Sequence, residues 1–327
     1  MEVPEIEADE VLLQIKAAGI CGSDVPRVYT KGTYNFPTVL GHEFAGEIIK
    51  VNPGDEDLLY KKAAVFPLLP CRECAACQIG EYAQCTNYDY YGSRRDGGFS
   101  EYLAVKKWNL VIVPDEVSYT EAAMCEPVAV AVHALQQADM QANGSIAIFG
   151  VGTIGNIVAQ LARGWGAKQI IPIDVSQNKI DFLHKQGFDL AINSIDVDPI
   201  QHIDQLTNGR GVDLAIDAAG VSATIENCLK VTRSFGQVVC LGNPNGDIRL
   251  AQNSYWEILR KQLVLRGTWN SSYNQMKNDW QTAIDCMHNG ILDLEPLITH
   301  RYSLEDCNTA FETMRSEEDF LKVMFVI

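Results

Sequence analysis

The sequence predicts an α/β chain in which a β-rich domain is interrupted by a doubly wound parallel sheet. Three observations carry that reading. Between Glu10 and Val113 the chain alternates apolar and polar residues in strand-like runs. From Ser145 onward, short apolar strands alternate with helical runs. Between the first of those strands and its helix lies the turn Gly150-x-Gly152-x-x-Gly155.

In chain order, EVLLQIKAAGI at 10–20 reads as a half-exposed strand, and 43–51 and 63–66 as further strands separated by turns rich in Gly, Pro and Asp. EYLAVKKWNLVIV at 101–113 reads as one more β stretch before Pro114. Residues 145–150 form the first strand of the parallel sheet, NIVAQLARGWGA its helix, and QIIPID a second strand ending at Asp174. Pro172 cannot donate to a ladder and is expected near the frayed end of that strand. Strand-like runs recur at 190–193, 212–218, 237–241 and 263–267. From Ser271 the chain returns to a helix over NQMKNDWQTAIDCMHNG and then to short strands ending in LKVMFVI. The expected domains are 1–131 with 271–327, and 132–270.

The glycine turn gains meaning from its context. It follows an apolar strand, opens a helix, and has Asp174 about 20 residues on, at the end of the next strand. Gly150 permits the tight turn, Gly152 lets backbone approach a pyrophosphate, and Gly155 lets helix and sheet pack closely. Thr153 and Ile154 open the helix, whose N-terminus faces the phosphates. Asp174 would accept hydrogen bonds from the adenosine ribose and repel a 2′-phosphate, which favours NAD over NADP.

PCRECAACQIGEYAQC holds Cys71, Cys74 and Cys77 at two-residue gaps, then Cys85. A tetrahedral zinc site needs four soft ligands converging on one ion, and four thiolates leave no open position. Such a site adds folding energy and binds no substrate. An iron–sulfur cluster is the rival, and a thioredoxin-like pair is the weaker one.

Composition narrows the partners. The 26 basic and 42 acidic side chains give a net charge of −16, so nucleic acid and anionic membrane are unlikely partners. No apolar run approaches the length of a spanning helix, and MEVPEIEADEV lacks the basic and apolar regions of a signal peptide. The expectation is a cytoplasmic protein, where clustered cysteines bind metal or react more often than they form disulfides.

A second constellation is dispersed. GICGSD carries Cys21, Ser23 and Asp24; LGHE carries His42 and Glu43; MCEP carries Glu126. Singly, each residue is as readily a packed or capping side chain. Together GICGSD, LGHEFAGEI, the four-cysteine lobe, DGGFSEYL, CEP and GVGTIG resemble the zinc-containing medium-chain dehydrogenases, in that family's order and over nearly the whole chain. Glu126 before proline is similar to the polyol dehydrogenases, where the alcohol dehydrogenases use cysteine. PLLPC, YGSRRDGGF, ILRKQLVLRGTWN and LDLEPLITHR look most like the branch that oxidises phosphorylated hexitols, such as galactitol 1-phosphate to tagatose 6-phosphate.

The resemblance implies a GroES-like catalytic domain beside a Rossmann domain, two Zn2+ per chain, and NAD. Cys21, His42 and Glu126 would bind the catalytic zinc, and Cys71, Cys74, Cys77 and Cys85 the structural one. Glu43 would enter the coordination sphere directly or through water, Asp24 would orient the histidine, and Ser23 would relay a proton from the substrate. Lys179 would lie near the adenosine ribose, with a solvated surface lysine as the alternative. The family implies a homodimer or homotetramer, often through the edge strand of the Rossmann sheet.

Two departures stand out. Cys21 lies closer to the N-terminus than the family's usual cysteine, as if an opening strand were abbreviated, and GDEDLLYKK interrupts the loop from 51 to 62. On so acidic a chain, a phosphorylated substrate must find a cation. Arg94 and Arg95, or Arg27 and Lys31, are the candidates, with structural salt bridges as the plainer reading. An unphosphorylated polyol dehydrogenase, and a non-catalytic zinc and dinucleotide-binding protein, remain open alternatives.

Overall fold

The structure, a computed structural model, describes residues 2–244, 246–316 and 320–327. It divides into two units, Met1–Ala129 with Ser271–Ile327, and Val130–Asn270.

The first unit is organised around β1 (Glu10–Ile20), which pairs along one edge with β2 (Glu43–Lys50). β1 was expected to be half exposed, but it is buried along almost its whole length. The cause is tertiary: helix Tyr119–Ala123 packs against β1 and β2, started by a capping box between Ser118 and Glu121. β3 (Lys62–Val65) pairs with β2, and the short β4 (Leu68–Leu69) and β5 (Asp89–Tyr90) form a ribbon of their own. The expected single strand at 101–113 is two, β6 (Tyr102–Lys106) and β7 (Leu110–Ile112), broken by a tight turn at Lys107–Asn109. Buried Asn109 explains the break: its Nδ2 donates to the carbonyls of Phe66 at 2.6 Å and Leu68 at 2.9 Å. A side chain that satisfies two buried carbonyls fixes the turn more firmly than propensity favours the strand.

The second unit holds six parallel strands: β8 (Ser145–Phe149), β9 (Gln169–Asp174), β10 (Ile192–Asn193), β11 (Val212–Asp217), β12 (Thr232–Cys240) and β13 (Val264–Gly267). Their order is β10-β9-β8-β11-β12-β13, with the strand order reversing between β8 and β11. Ala147, Phe149, Ile171, Ala215 and Val238 fill the core under the helices. Pro172 lies inside β9, opposite Ile148 of β8, and not at a frayed end. It is tolerated because β10 engages only Ile173 and Asp174, leaving the Pro172 position without a ladder partner on that side.

The return segment completes the first unit with β14 (Ile298–Tyr302) and β15 (Lys322–Val326). The large sheet runs β14-β15-β1-β2-β3-β7, with β6 also paired to β1. The helix expected from Asn274 begins at Asp279, because the Asn278 side chain accepts the Gln281 N–H and caps it there. Buried Trp280 then packs 5.5 Å from the Phe66 ring and donates to Ser271 Oγ. Among the described residues no helix is long and apolar enough to cross a membrane.

Candidate functional site

The four lobe cysteines converge. One sulfur from each of Cys71, Cys74, Cys77 and Cys85 lies within 4.8 Å of the others. Zinc–sulfur bonds of about 2.3 Å in a tetrahedron separate the sulfurs by about 3.8 Å, and Cys71 and Cys77 stand 3.9 Å apart. Backbone supports the negative charge. The Cys71 N–H points at Cys85 Sγ, and the N–H groups of Thr86 and Cys77 lower the Cys74 thiol to about 6. Burial, reinforced by Cys85, pushes Cys77 up to about 12 in the metal-free protein. None of the ten cysteines forms a disulfide. The donor set fits a closed zinc cage.

The second cluster forms where β1 ends and β2 begins. Ligand atoms of Cys21, His42 and Glu43 lie within 4.8 Å of one another. Asp24, fully buried, frames them: Oδ2 accepts the Cys21 N–H at 3.1 Å, while Oδ1 faces His42 Nδ1 at 3.5 Å and Arg27 Nη1 at 3.0 Å. With Nδ1 turned to Asp24, the other ring nitrogen of His42 is the one available as a ligand. Burial works against a charge on His42, but Asp24 and then Cys21 hold it well above its ordinary range. Ser23 Oγ accepts a hydrogen bond from Arg27 Nη1 at 2.8 Å, so Arg27 is engaged with both Ser23 and Asp24.

Glu126, in the first turn of helix Cys125–Gln137, stands outside that tight set but belongs to the same electrostatic system. Its carboxyl rises from 4.5 to about 7, through burial first, with Glu43 and Asp24 adding to it and His42 and Lys322 opposing. A carboxylate that resists ionising without a cation fits a metal ligand. A group raised in the folded state contributes stability below its unfolded value and loses it as pH climbs through the folded one. The metal-free protein should therefore lose up to about 3 kcal/mol from this group between pH 4.5 and 7. Denaturant unfolding of the metal-free wild type and Glu126→Gln across that range checks this. A shallower slope is expected in the variant, and equal slopes contradict the assignment.

Sequence reasoning missed Lys322. Buried in β15, it forms an ion pair with Glu43 and donates to the Ile20 carbonyl at 3.0 Å. Gly19 makes room: a Cβ there would lie 2.3 Å from Glu43 Oε2 and 2.7 Å from Lys322 Cε. The only signal was a lysine within the apolar run LKVMFVI.

In the second unit Gly150 has φ +93°, and a Cβ on Gly155 would lie 2.0 Å from the Gly150 carbonyl oxygen. At Gly152 a Cβ would meet nothing within 4 Å, so the turn leaves its backbone open to a ligand. Helix Thr153–Gly164 starts there with Thr153 and Ile154. Asp174 Oδ2 accepts the Val151 N–H at 2.8 Å, and Oδ1 accepts those of Val175 and Ser176. Lys179 sits in the first turn of helix Gln177–Lys185, half buried. These residues fit a dinucleotide cradle.

The remaining cations differ sharply. Arg95 Nε lies 2.8 Å from Asp89 Oδ2, and its guanidinium sits over the Tyr91 ring. Lys31 is exposed at the end of the helical turn Arg27–Lys31. Arg94 stacks on Tyr34 and on Tyr88, at 4.3 Å from each ring centre.

Residues 7–115 match the alcohol dehydrogenase GroES-like domain, and residues 153–289 match the zinc-binding dehydrogenase family. Galactitol 1-phosphate 5-dehydrogenase of Escherichia coli (strain K12) is 38% identical over 306 residues, covering 93% of this chain and 88% of that protein. Sorbitol dehydrogenase of Bacillus subtilis (strain 168) is 33% identical over 332 residues, 99% of this chain and 92% of that protein. The crystal structure of galactitol-1-phosphate dehydrogenase from Escherichia coli matches with a TM-score of 0.93 at 36% identity, covering 100% of this chain and 95% of that one. The chain belongs to the zinc-binding medium-chain dehydrogenase family, among its polyol dehydrogenases.

Proposed function

We propose that this enzyme oxidises a secondary hydroxyl of a hexitol phosphate with NAD, galactitol 1-phosphate to tagatose 6-phosphate being the favoured reaction. The observation that carries the reading is the convergence of Cys21, His42 and Glu43, framed by buried Asp24, with buried Glu126 in the same electrostatic system. Similarity to galactitol 1-phosphate 5-dehydrogenase supports the substrate.

Cys21, His42 and Glu126 would hold a zinc that would supply the Lewis acidity for a secondary hydroxyl to ionise near neutral pH, and bound NAD would supply the hydride acceptor. The chain's own residues do the rest. Asp24 locks the Cys21 backbone and the His42 ring into one frame, so two ligands keep a fixed separation. Arg27 fills one acceptor site on Ser23 Oγ, which leaves the other to take the substrate proton while the Ser23 hydroxyl passes its own outward. Lys322, paired with Glu43 from β15, fixes that carboxylate beside Cys21 and His42.

Asp174, fixed by three backbone N–H groups, presents a carboxylate beside the glycine turn that opposes a 2′-phosphate, hence NAD over NADP. The four-cysteine cage would hold a second, structural zinc, a role that the convergence of its sulfurs supports. β13 is an exposed edge strand, with Val264 and Leu265 facing solvent, and we read it as the pairing edge of a homodimer or homotetramer. A single-chain mass in solution contradicts that. Ten cysteines without a disulfide favour a reducing, cytoplasmic setting.

Full-length similarity to a sorbitol dehydrogenase supports a second reading, an unphosphorylated polyol as substrate. Initial rates with NAD and with NADP on galactitol 1-phosphate, galactitol, sorbitol, L-iditol and xylitol decide between them. We expect a kcat/KM at least about tenfold higher for the phosphate ester, with NAD, because a charged group recognised by charge-assisted hydrogen bonds adds roughly 1.5–3 kcal/mol. Preference for sorbitol selects the second reading. No reduced cofactor from any polyol leaves a zinc and dinucleotide-binding protein without this catalysis.

A further inference from the structure

A phosphate ester approaching a chain of net charge −16 needs a local cation whose hydrogen-bond donors are still available. Arg27 is spent on Ser23 and Asp24, and Arg95 on Asp89. Lys31 is exposed, with no neighbour to fix its long side chain among the described ion pairs and ring contacts. Arg94 is different. Its backbone is fixed, N–H to the Tyr90 carbonyl at 3.0 Å and carbonyl to Asn35 Nδ2 at 2.7 Å. Its guanidinium lies between the rings of Tyr34 and Tyr88, 4.3 Å from each centre. Among the described residues that guanidinium makes no side-chain hydrogen bond and no ion pair.

A guanidinium held over two aromatic rings keeps its charge and loses rotational freedom, while N–H groups without a hydrogen bond are left to grip an oxyanion. The rings also lead inward. Tyr88 lies 6.0 Å from Tyr90, and Tyr90 lies 5.8 Å from the His42 ring. An extended polyol phosphate carries its phosphate and its oxidised carbinol near opposite ends, the arrangement that a fork at one end of this row and a metal ligand at the other would suit.

We propose that Arg94, clamped between Tyr34 and Tyr88, is the fork that binds the substrate phosphate, with Tyr88 and Tyr90 lining the way to the His42 ligand. This rests on the polyol phosphate reading of the function. It makes Arg94 the residue that separates phosphorylated from unphosphorylated polyols.

The test compares kcat/KM for galactitol 1-phosphate and for sorbitol in wild type, Arg94→Gln and Arg94→Lys. Arg94→Gln should lower the ratio of the two values by about 10- to 100-fold, chiefly through KM for the phosphate ester. Arg94→Lys, which keeps the charge but not the planar fork, should fall between. Inorganic phosphate should compete with galactitol 1-phosphate less well in both variants. A ratio within twofold of wild type in both variants overturns the role of Arg94 and leaves the substrate reading standing. A wild type that oxidises sorbitol and not galactitol 1-phosphate overturns the substrate reading and the fork with it, and needs no variant to detect. Should Arg94→Gln be insoluble, Arg94→Lys alone decides by the same ratio.

Discussion

Replacing Cys71 with alanine is expected to release one zinc per chain and to lower the unfolding free energy by about 3 kcal/mol or more. The lobe from Cys71 to Cys85 contains one short helix, Ala75–Gln78, and one tight turn, Tyr82–Gln84. Only Cys77, Ala83 and Cys85 are buried apolar residues there, far too few to hold the segment by hydrophobic burial. Its other anchors are peripheral: Arg72 over the Trp108 ring at 4.2 Å, Tyr82 edge-on to Trp108, and Asn274 Nδ2 donating to the Gly80 carbonyl. Without the metal, four thiol groups in close contact also lose the reason for their arrangement. Limited proteolysis should cut the variant within this lobe before any other site. Unchanged zinc content with unchanged melting contradicts a structural cage.

Lys322→Met should be nearly as damaging, for the opposite reason. The substitution fits sterically and removes one charge, leaving Glu43 buried without its partner beside Glu126 and Asp24. Breaking a buried pair from one side costs about 3–5 kcal/mol, whereas removing both charges is often close to neutral. Lys322→Met/Glu43→Gln should therefore recover most of the loss seen in Lys322→Met alone, measured by denaturant unfolding of the metal-free proteins. A single variant within about 1 kcal/mol of wild type, or a double variant no better than the single, contradicts a charge clamp between β15 and β2.

What the sequence disclosed and what it hid have separate physical causes. Gly150, Gly152, Gly155 and Asp174 were legible because the turn needs its glycines at fixed offsets from a strand and a helix. The lobe cysteines were legible because a cage demands short spacing. Cys21, His42 and Glu126 could be nominated only as a set, through the resemblance, since no local rule links three distant residues; the fold brings Cys21 and His42 together with Glu43. Most of the misses lie where tertiary partners decide, the local Asn278 cap being the exception. Asn109 breaks a plausible strand by reaching two carbonyls on neighbouring chain, and Asn278 starts a helix later than its apolar period suggests. Pro172 survives mid-strand because β10 is too short to need its N–H. The partnership of Lys322 with Glu43 joins the last strand to the second, and no sequence period records it.

In the proposed division of labour, chemistry belongs to the dispersed ligands and folding to the clustered ones. Zinc per chain, measured by elemental analysis on Cys21→Ala alongside its reduction of NAD with galactitol 1-phosphate, tests it most directly. Two zinc ions are expected in the wild type, and one in a folded, thermally stable Cys21→Ala that no longer reduces NAD. A Cys21→Ala protein that keeps its activity, or one that unfolds as readily as Cys71→Ala, contradicts it.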